Sequence, residues 1–240
     1  MDNRIESFAS LLSEQGIQLT ETQLQQFETY YRELIEWNNR MNLTAITDRD
    51  QVYLKHFYDS LTLAFRFDMQ TINRIADIGS GAGFPGVPLK IAFPHLEVTI
   101  IDSLNKRISF LNHLRTALGL DGYQAIHGRA EELGRQPSLR DSFDLVTARA
   151  VARMNVLAEY CMPFVRPGGW FAAMKGPGAA EELAEAGKAI SALGGGDPRI
   201  HTLVLPIEEA KRAIILVEKL RPTPGKYPRK PGLPQKEPIR

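Results

Sequence analysis

The sequence predicts an α/β fold: a doubly wound, seven-stranded sheet, mainly parallel with an antiparallel last hairpin, joined to a helical N-terminal extension. Three observations carry this prediction. From Ile72 onward, short apolar β runs alternate with stretches long enough for a helix, as in a parallel sheet with crossover helices. The first run, Ile75 to Ile78, opens into three glycines at alternate positions, Gly79, Gly81 and Gly83. The last two runs, Ile200 to Leu205 and Ala213 to Leu220, have a charged connection with no room for a long crossover helix, so they read as a hairpin at the sheet edge.

Residues 1–68 read as helical. Ile5, Phe8, Ala9 and Leu12 have helical spacing, as do Leu24, Phe27, Tyr31 and Leu34 in a longer segment reaching Trp37. A third helix is expected after Thr47, with Thr47 and Asp50 as its capping box and Leu54, Phe57, Tyr58, Leu61 and Phe65 as its apolar stripe. His56, Asp59 and Ser60 then share the opposite face, either solvated or lining a cleft against the following domain. Residues 69–220 form that domain, with strands at 74–78, 97–102, 123–127, 143–148 and 169–174 and helices at 87–93, 105–118, 150–162 and 178–193. Residues 221–240 make a basic, proline-rich tail.

At 240 residues the chain has room for one α/β domain and an appendage. No apolar run approaches the ~20 residues that span a bilayer, and no signal peptide opens the sequence, so a cytoplasmic protein without membrane contact is expected. The lone Cys161 is expected to pack rather than react, and no Cys/His cluster has metal-ligand spacing, so no metal is expected. Walker, H-E-x-x-H and G-x-S-x-G patterns are absent. The net charge of +1 hides an asymmetry: Lys219 to Arg240 holds seven basic residues against Glu237, leaving the rest acidic. Such a tail suits a polyanion such as RNA; a solvated, disordered end broken by six prolines is the alternative, and a flexible arm ordering on RNA satisfies both.

The chemistry is concentrated at the strand ends. Gly81-Ala-Gly-Phe-Pro-Gly86 fits the dinucleotide fingerprint G-x-G-x-x-G, with Asp102 about 20 residues on to hold a ribose diol. Asp77-Ile-Gly-Ser-Gly-Ala-Gly83 instead matches D-x-G-x-G-x-G, motif I of the S-adenosylmethionine (SAM) methyltransferases. A diphosphate wants bare amides and no carboxylate beside them, so Asp77 favours SAM over NAD. The edge hairpin points the same way, since NAD binding suits a second βαβαβ half. Ala130 and Glu131, after the third strand, can frame an adenine ring or simply open a helix. Arg149, after the fourth, can hold the cofactor or reach a target base, with a surface cation as the alternative. Lys175 can face a substrate phosphate or solvent. There is no Asn/Asp-Pro-Pro-Tyr/Phe motif for amino-group methylation and no Pro-Cys nucleophile.

Taken together, Trp37-Asn, Asn42-Leu-Thr-Ala-Ile46, His56-Phe-Tyr-Asp-Ser-Leu61, Asp77 to Gly86, Asp102-Ser-Leu-Asn-Lys-Arg107, Arg129-Ala-Glu-Glu132, Arg149-Ala and Lys175-Gly176 make an ordered set. In it the chain resembles, essentially end to end, the bacterial small-subunit rRNA guanine-N7 methyltransferase G family (RsmG, glucose-inhibited division protein B). The resemblance implies a class I SAM-dependent methyltransferase core, Rossmann-like, with the helical extension. It implies cofactor contacts at Gly79, Phe84, Ala130, Glu131 and Arg149, beside Asp77, Gly81, Gly83 and Asp102 from the motif reading. Phe84 stands where many members have leucine, an apolar wall either way. The implied substrate is a guanine in the 530 loop of 16S rRNA (guanine 527), free or in the small subunit; separately, a monomer is expected. N7 carries an in-plane lone pair and no proton, so direct in-line transfer without a general base is expected. Arg149 or Arg153 is then expected to hold O6, with Arg153, Lys175, Arg229 and Lys230 toward the RNA.

Overall fold

The computed structural model describes residues 3–240. Helix α1 (Asn3–Ser13) buries Ile5, Phe8 and Leu12, the stripe its spacing predicts. Helix α2 (Glu21–Met41) starts at a capping box in which Thr20 Oγ1 accepts from the Gln23 amide and Gln23 Oε1 accepts from the Thr20 amide. The third helical run has three segments: α3 (Arg49–Val52), a π-helical stretch Tyr53–Tyr58, and α4 (Asp59–Leu61). Its cap is not the expected Thr47/Asp50 box. Asp48 takes that place, accepting from the Gln51 amide at 3.0 Å. Leu54, Phe57, Tyr58 and Leu61 are buried as expected, but so are Asp59 and Ser60. The wide π turn changes the facing of the residues after it, and the run is covered on both sides.

The sheet has strands β1 (Arg74–Ile78), β2 (Glu97–Asp102), β3 (Tyr123–His127), β4 (Phe143–Arg149), β5 (Val165–Lys175), β6 (Arg199–Val204) and β7 (Lys211–Glu218) in the order β3-β2-β1-β4-β5-β7-β6. The first five pair in parallel, while β7 runs antiparallel to both β5 and β6, as the charged hairpin predicts. Strand order reverses between β1 and β4, so a crevice opens at the carboxyl end of β1. One face carries α1, α2, α5 (Gly86–Ala92) and α6 (Asn105–Leu118). Gln23 fastens the extension there by donating to the carbonyls of Ile91 and Ala92 at the end of α5.

The other face carries α7 (Ala130–Leu133), α8 (Met154–Cys161), α9 (Ala179–Ala184) and α10 (Gly187–Ala192). Two predicted helices differ from expectation. The helix placed at 150–162 starts only at Met154, because Ala150 takes a left-handed φ of +55° and Glu182 caps the Met154 amide. The helix placed at 178–193 breaks into α9 and α10 around Glu185 and Ala186. Cys161 is fully buried in this layer, and burial pushes its thiol well up, which suits packing rather than reaction.

The tail packs on the domain, unlike the disordered end of the alternative reading. Prolines remove amide donors, but the carbonyls between them still need partners. Arg135 and Arg140 supply them, Arg140 donating to Thr223 O at 2.6 Å and Tyr227 O at 3.0 Å, and Arg135 to Lys226 O at 3.2 Å. Lys219 is not a surface cation. It is fully buried, donates to Met162 O, Val165 O, Thr223 and Asp141, and is pushed down to about 8 by burial. A last short helix, α11 (Leu233–Lys236), follows.

Candidate active site

The glycine loop leaves β1 over Asp77, whose side chain is buried beneath it. Asp77 Oδ2 accepts from the Gly86 amide at 2.8 Å, which fixes the far end of the turn. Burial drives this carboxyl up to about 6, with Ser80 and the Gly86 amide pulling the other way. Gly83 is held at φ +104°, where a Cβ would lie 2.7 Å from the Tyr30 hydroxyl. That hydroxyl donates to Ala82 O at 2.6 Å, so the helical extension props the loop directly. Across the crevice, Asp102 Oδ2 accepts from the Gly81 amide (3.0 Å) and Arg107 (3.2 Å), while Oδ1 accepts from the Leu104 amide (2.9 Å).

Above the loop lies a cavity of about 440 Å³, walled by Gly79 to Ala82, Phe84, Asp102 and Arg149. A side compartment of about 140 Å³, lined by Ile101, Ala130, Glu131 and Tyr160, shares Gly79, Ser103 and Val151 with it. The pair fits a nucleoside bearing an amino-acid arm: a small, largely apolar slot for a base, and a polar chamber with Asp102 at the ribose end. Gly81 opens into the larger chamber, and a Cβ there would meet nothing within 4 Å, so glycine leaves the ligand room.

A second cavity of about 600 Å³ lies on the other side of Arg149. His56, Arg149 and Val151 line both. Arg149 sits 4.9 Å above the Phe84 ring and donates to Lys55 O (3.3 Å), Asp59 Oδ2 (3.4 Å), Ser60 Oγ (3.5 Å) and His56 Nδ1 (3.5 Å). Burial lowers its pKa, opposed first by Asp59. His56 stacks on Phe84 at 4.5 Å and is pushed down to about 4 by burial and then by the Arg149 charge. Its Nδ1 accepts from Arg149, which leaves Nε2 to donate to Thr44 Oγ1 at 2.9 Å.

The structure thus brings Gly79, Gly81, Phe84, Asp102, Ala130, Glu131 and Arg149 around one crevice, with Asp77 and Gly83 supporting the loop from behind. Glu131 has a further partner, since its Oε1 accepts from the Gly232 amide of the tail at 3.0 Å. The expected RNA contacts fall differently. Lys175 lines the outer cavity, but its side chain is 8% exposed and held by Glu182 at 2.7 Å, so it is not a solvated lysine. Arg153 lies outside with Glu185, both exposed. Arg229 grips the buried Glu159 carboxylate through Nε and Nη2. Lys230 is exposed. Sequence reasoning missed Arg212, which donates to Asp59 Oδ2 at 3.2 Å, and left His56, Asp59 and Ser60 undecided; His56 and Asp59 line the cleft, while Ser60 is fully buried beside Arg149. Among the described residues no helix is long and apolar enough to cross a membrane, and no group of three or more His, Cys, Asp or Glu can hold a metal ion.

Residues 23–214 match the family described as "GidB: rRNA small subunit methyltransferase G". The chain is 58% identical over 232 residues to the ribosomal RNA small subunit methyltransferase G of an Exiguobacterium species, covering 97% of this chain and 98% of that one. Its counterpart from Bacillus subtilis is 55% identical over 235 residues, covering 98% of each. The chain belongs to the rRNA small subunit methyltransferase G family. It is a SAM-dependent rRNA methyltransferase. Solved structures at lower identity share its fold, including an O-methyltransferase from Bacillus cereus in complex with SAH (TM-score 0.58, 16% identity, 90% of this chain and 100% of that one). The cofactor-bound Rv0187 from MTB is another (TM-score 0.58, 17% identity, 79% and 89%). They establish the class I methyltransferase architecture expected from the strand pattern, with its sheet order and antiparallel end.

Proposed function

We propose that the chain methylates N7 of one guanine in the 530 loop of 16S rRNA, guanine 527 by family resemblance. The observation that carries this reading is the shared wall: Arg149, His56 and Val151 border both the nucleoside-shaped chambers and the larger outer cavity. An acceptor base seated outside therefore meets the cofactor's arm at that wall.

When bound, SAM would supply an electrophilic sulfonium methyl to the N7 lone pair. Ala130 and Glu131 would frame its adenine, Asp102 would hold the ribose diol, and the Gly79–Gly83 turn with Phe84 would carry the amino-acid arm. Asp77 acts from beneath by holding the loop rather than by touching the ligand. Guanine N7 has no proton to lose, so no base is required. His56 suits that role as a neutral wall, its Nδ1 already turned to Arg149. Arg149 is the catalytic group in the sense that it touches the reactants: anchored by Asp59, it aims its charge at guanine O6 and fixes the base with N7 free for attack. Reaching the outer cavity requires a guanine flipped out of its stack. Arg153, Lys175 and Lys230 are proposed on the RNA side. Lys230 is the candidate for a phosphate, while Arg229 acts through the tail it anchors.

The test offers labelled SAM with naked 16S rRNA, an assembly intermediate and the mature small subunit, and then maps the product by reductive strand cleavage at N7-methylguanine. Cleavage at one guanine of the 530 loop is the expected result. Methyl incorporation without N7-specific cleavage overturns the N7 assignment, and no incorporation into any form overturns the substrate.

A further inference from the structure

The outer cavity contains a carboxylate whose hydrogen-bonding capacity is incompletely used. Asp59 is 4% exposed and lines this cavity. Its Oδ2 accepts from Arg212 Nε at 3.2 Å and from Arg149 at 3.4 Å, both toward the long end of the hydrogen-bond range. Its Oδ1 is buried with no partner at all. Buried carboxylate oxygens are normally satisfied, and an unsatisfied one needs a reason. The cavity's other carboxylate, Glu182, differs in burial: its side chain is 27% exposed, so water can reach it, and its Oε2 accepts from both Lys175 and the Met154 amide.

We propose that Asp59, flanked by Arg212, reads the Watson–Crick edge of the target guanine and makes the site specific for it. The inference rests on the reading of the site as a guanine-N7 methyltransferase and adds the group that selects the base. Guanine presents an acceptor, O6, beside two donors, N1–H and the exocyclic N2 amine. A carboxylate next to a guanidinium presents the complementary row: acceptors for N1–H and N2–H, and a donor for O6. Adenine reverses the first two groups, with an amine where guanine has O6 and a lone pair at N1, so it would face Asp59 oxygen to lone pair. A flipped base read along this edge leaves the N7 side free. Removing a donor from the substrate then strands a buried acceptor, the arrangement that rejects a near-isostere most strongly.

The test uses the full chain with target RNA carrying guanine or inosine at the methylated position, because inosine lacks only the 2-amino group. Steady-state kcat/KM is measured for the wild type and for Asp59→Asn, together with SAM affinity by calorimetry. The wild type is expected to prefer guanine by about tenfold to a hundredfold, the loss typical of a hydrogen bond to a charged group. Asp59→Asn should bring that ratio close to one while changing SAM affinity by less than about twofold. A wild type that methylates inosine and guanine equally overturns the proposal without needing any variant. So does a variant that keeps the wild-type preference, since a purely structural Asp59 would lower both rates alike. If the wild type methylates neither RNA while binding SAM, the proposed function itself falls and takes this inference with it.

Discussion

The cavity above the glycine loop takes much of its wall from one stretch, Gly79 to Phe84, whereas the outer cavity is assembled from Asp59, Arg149 and Arg212. Separations of 90 and 153 residues lie between Asp59 and its two arginine partners. The cofactor side is therefore a local structure, shaped by a turn whose positive φ values need glycine. The acceptor side exists only once the helical extension docks and the edge hairpin returns the chain to the sheet. Arg149 stands between them and tests the comparison first. Arg149→Ala should reduce methyl transfer by about 10²- to 10³-fold, the usual loss for one preorganised electrostatic donor, measured as kcat with saturating SAM. Circular dichroism should show the fold intact. A fully active variant would mean that the two sides work without their shared wall.

The same contrast explains what was legible. The parallel strands, the hairpin and the crevice follow from periodicity and from Asp77 to Gly86, because a strand and the turn after it are encoded side by side. Arg212 gave no such signal. It opens a strand beside Lys211, where a basic pair reads as a solvated edge, and only the pairing of β7 against β5 brings it to Asp59. The trio His56, Asp59 and Ser60 was visible as a face but ambiguous, since helical periodicity does not anticipate a π turn or a covering sheet. Composition left the tail open between an RNA-binding arm and a disordered end. Proline content speaks against ladders, yet Arg135 and Arg140 bind carbonyls that no periodicity marks.

The tail also sharpens the comparison, because its contacts lie on the cofactor side. Arg229 holds Glu159, a carboxylate on α8 that is 1% exposed, and three residues later the Gly232 amide holds Glu131. Arg229→Ala leaves Glu159 buried without its cation, which should cost on the order of 3 kcal/mol in denaturant unfolding. SAM affinity should weaken with it, as Glu131 loses its tether. The salt dependence of RNA binding should change by no more than one lost charge warrants. Weakened RNA binding with unchanged stability and SAM affinity would return Arg229 to the acceptor side.

A third test sets Asp77 against His56. Burial raises the Asp77 carboxyl from 3.8 to about 6, so its contribution to stability is full below about 3.8 and fades as pH rises through about 6. Burial lowers His56 from 6.5 to about 4, so its contribution is full above about 6.5 and fades as pH falls through about 4. The two slopes oppose each other across nearly the same window. Asp77→Asn keeps an oxygen for the Gly86 amide but no longer titrates. The variant should gain on the order of 2 kcal/mol relative to wild type at pH 7. It should also lose stability more steeply than wild type between pH 6.5 and pH 4. Parallel profiles for the two proteins would show that Asp77 is not the group titrating there.

The smallest effect marks where the acceptor side ends. Arg153 sits just past the shared wall, but its side chain is 61% exposed and its partner Glu185 is 58% exposed. An exposed pair of this kind contributes about 0–1 kcal/mol, and Glu185 already occupies the guanidinium that a base would need. Arg153→Ala should therefore leave stability and the guanine-to-inosine ratio unchanged and raise KM for RNA by no more than about threefold, as loss of one screened surface cation warrants. A collapse of kcat in this variant would move the base-holding role from Arg149 to Arg153. The acceptor side would then extend beyond the cluster formed by Asp59, Arg149 and Arg212, onto a surface that only the bound RNA completes.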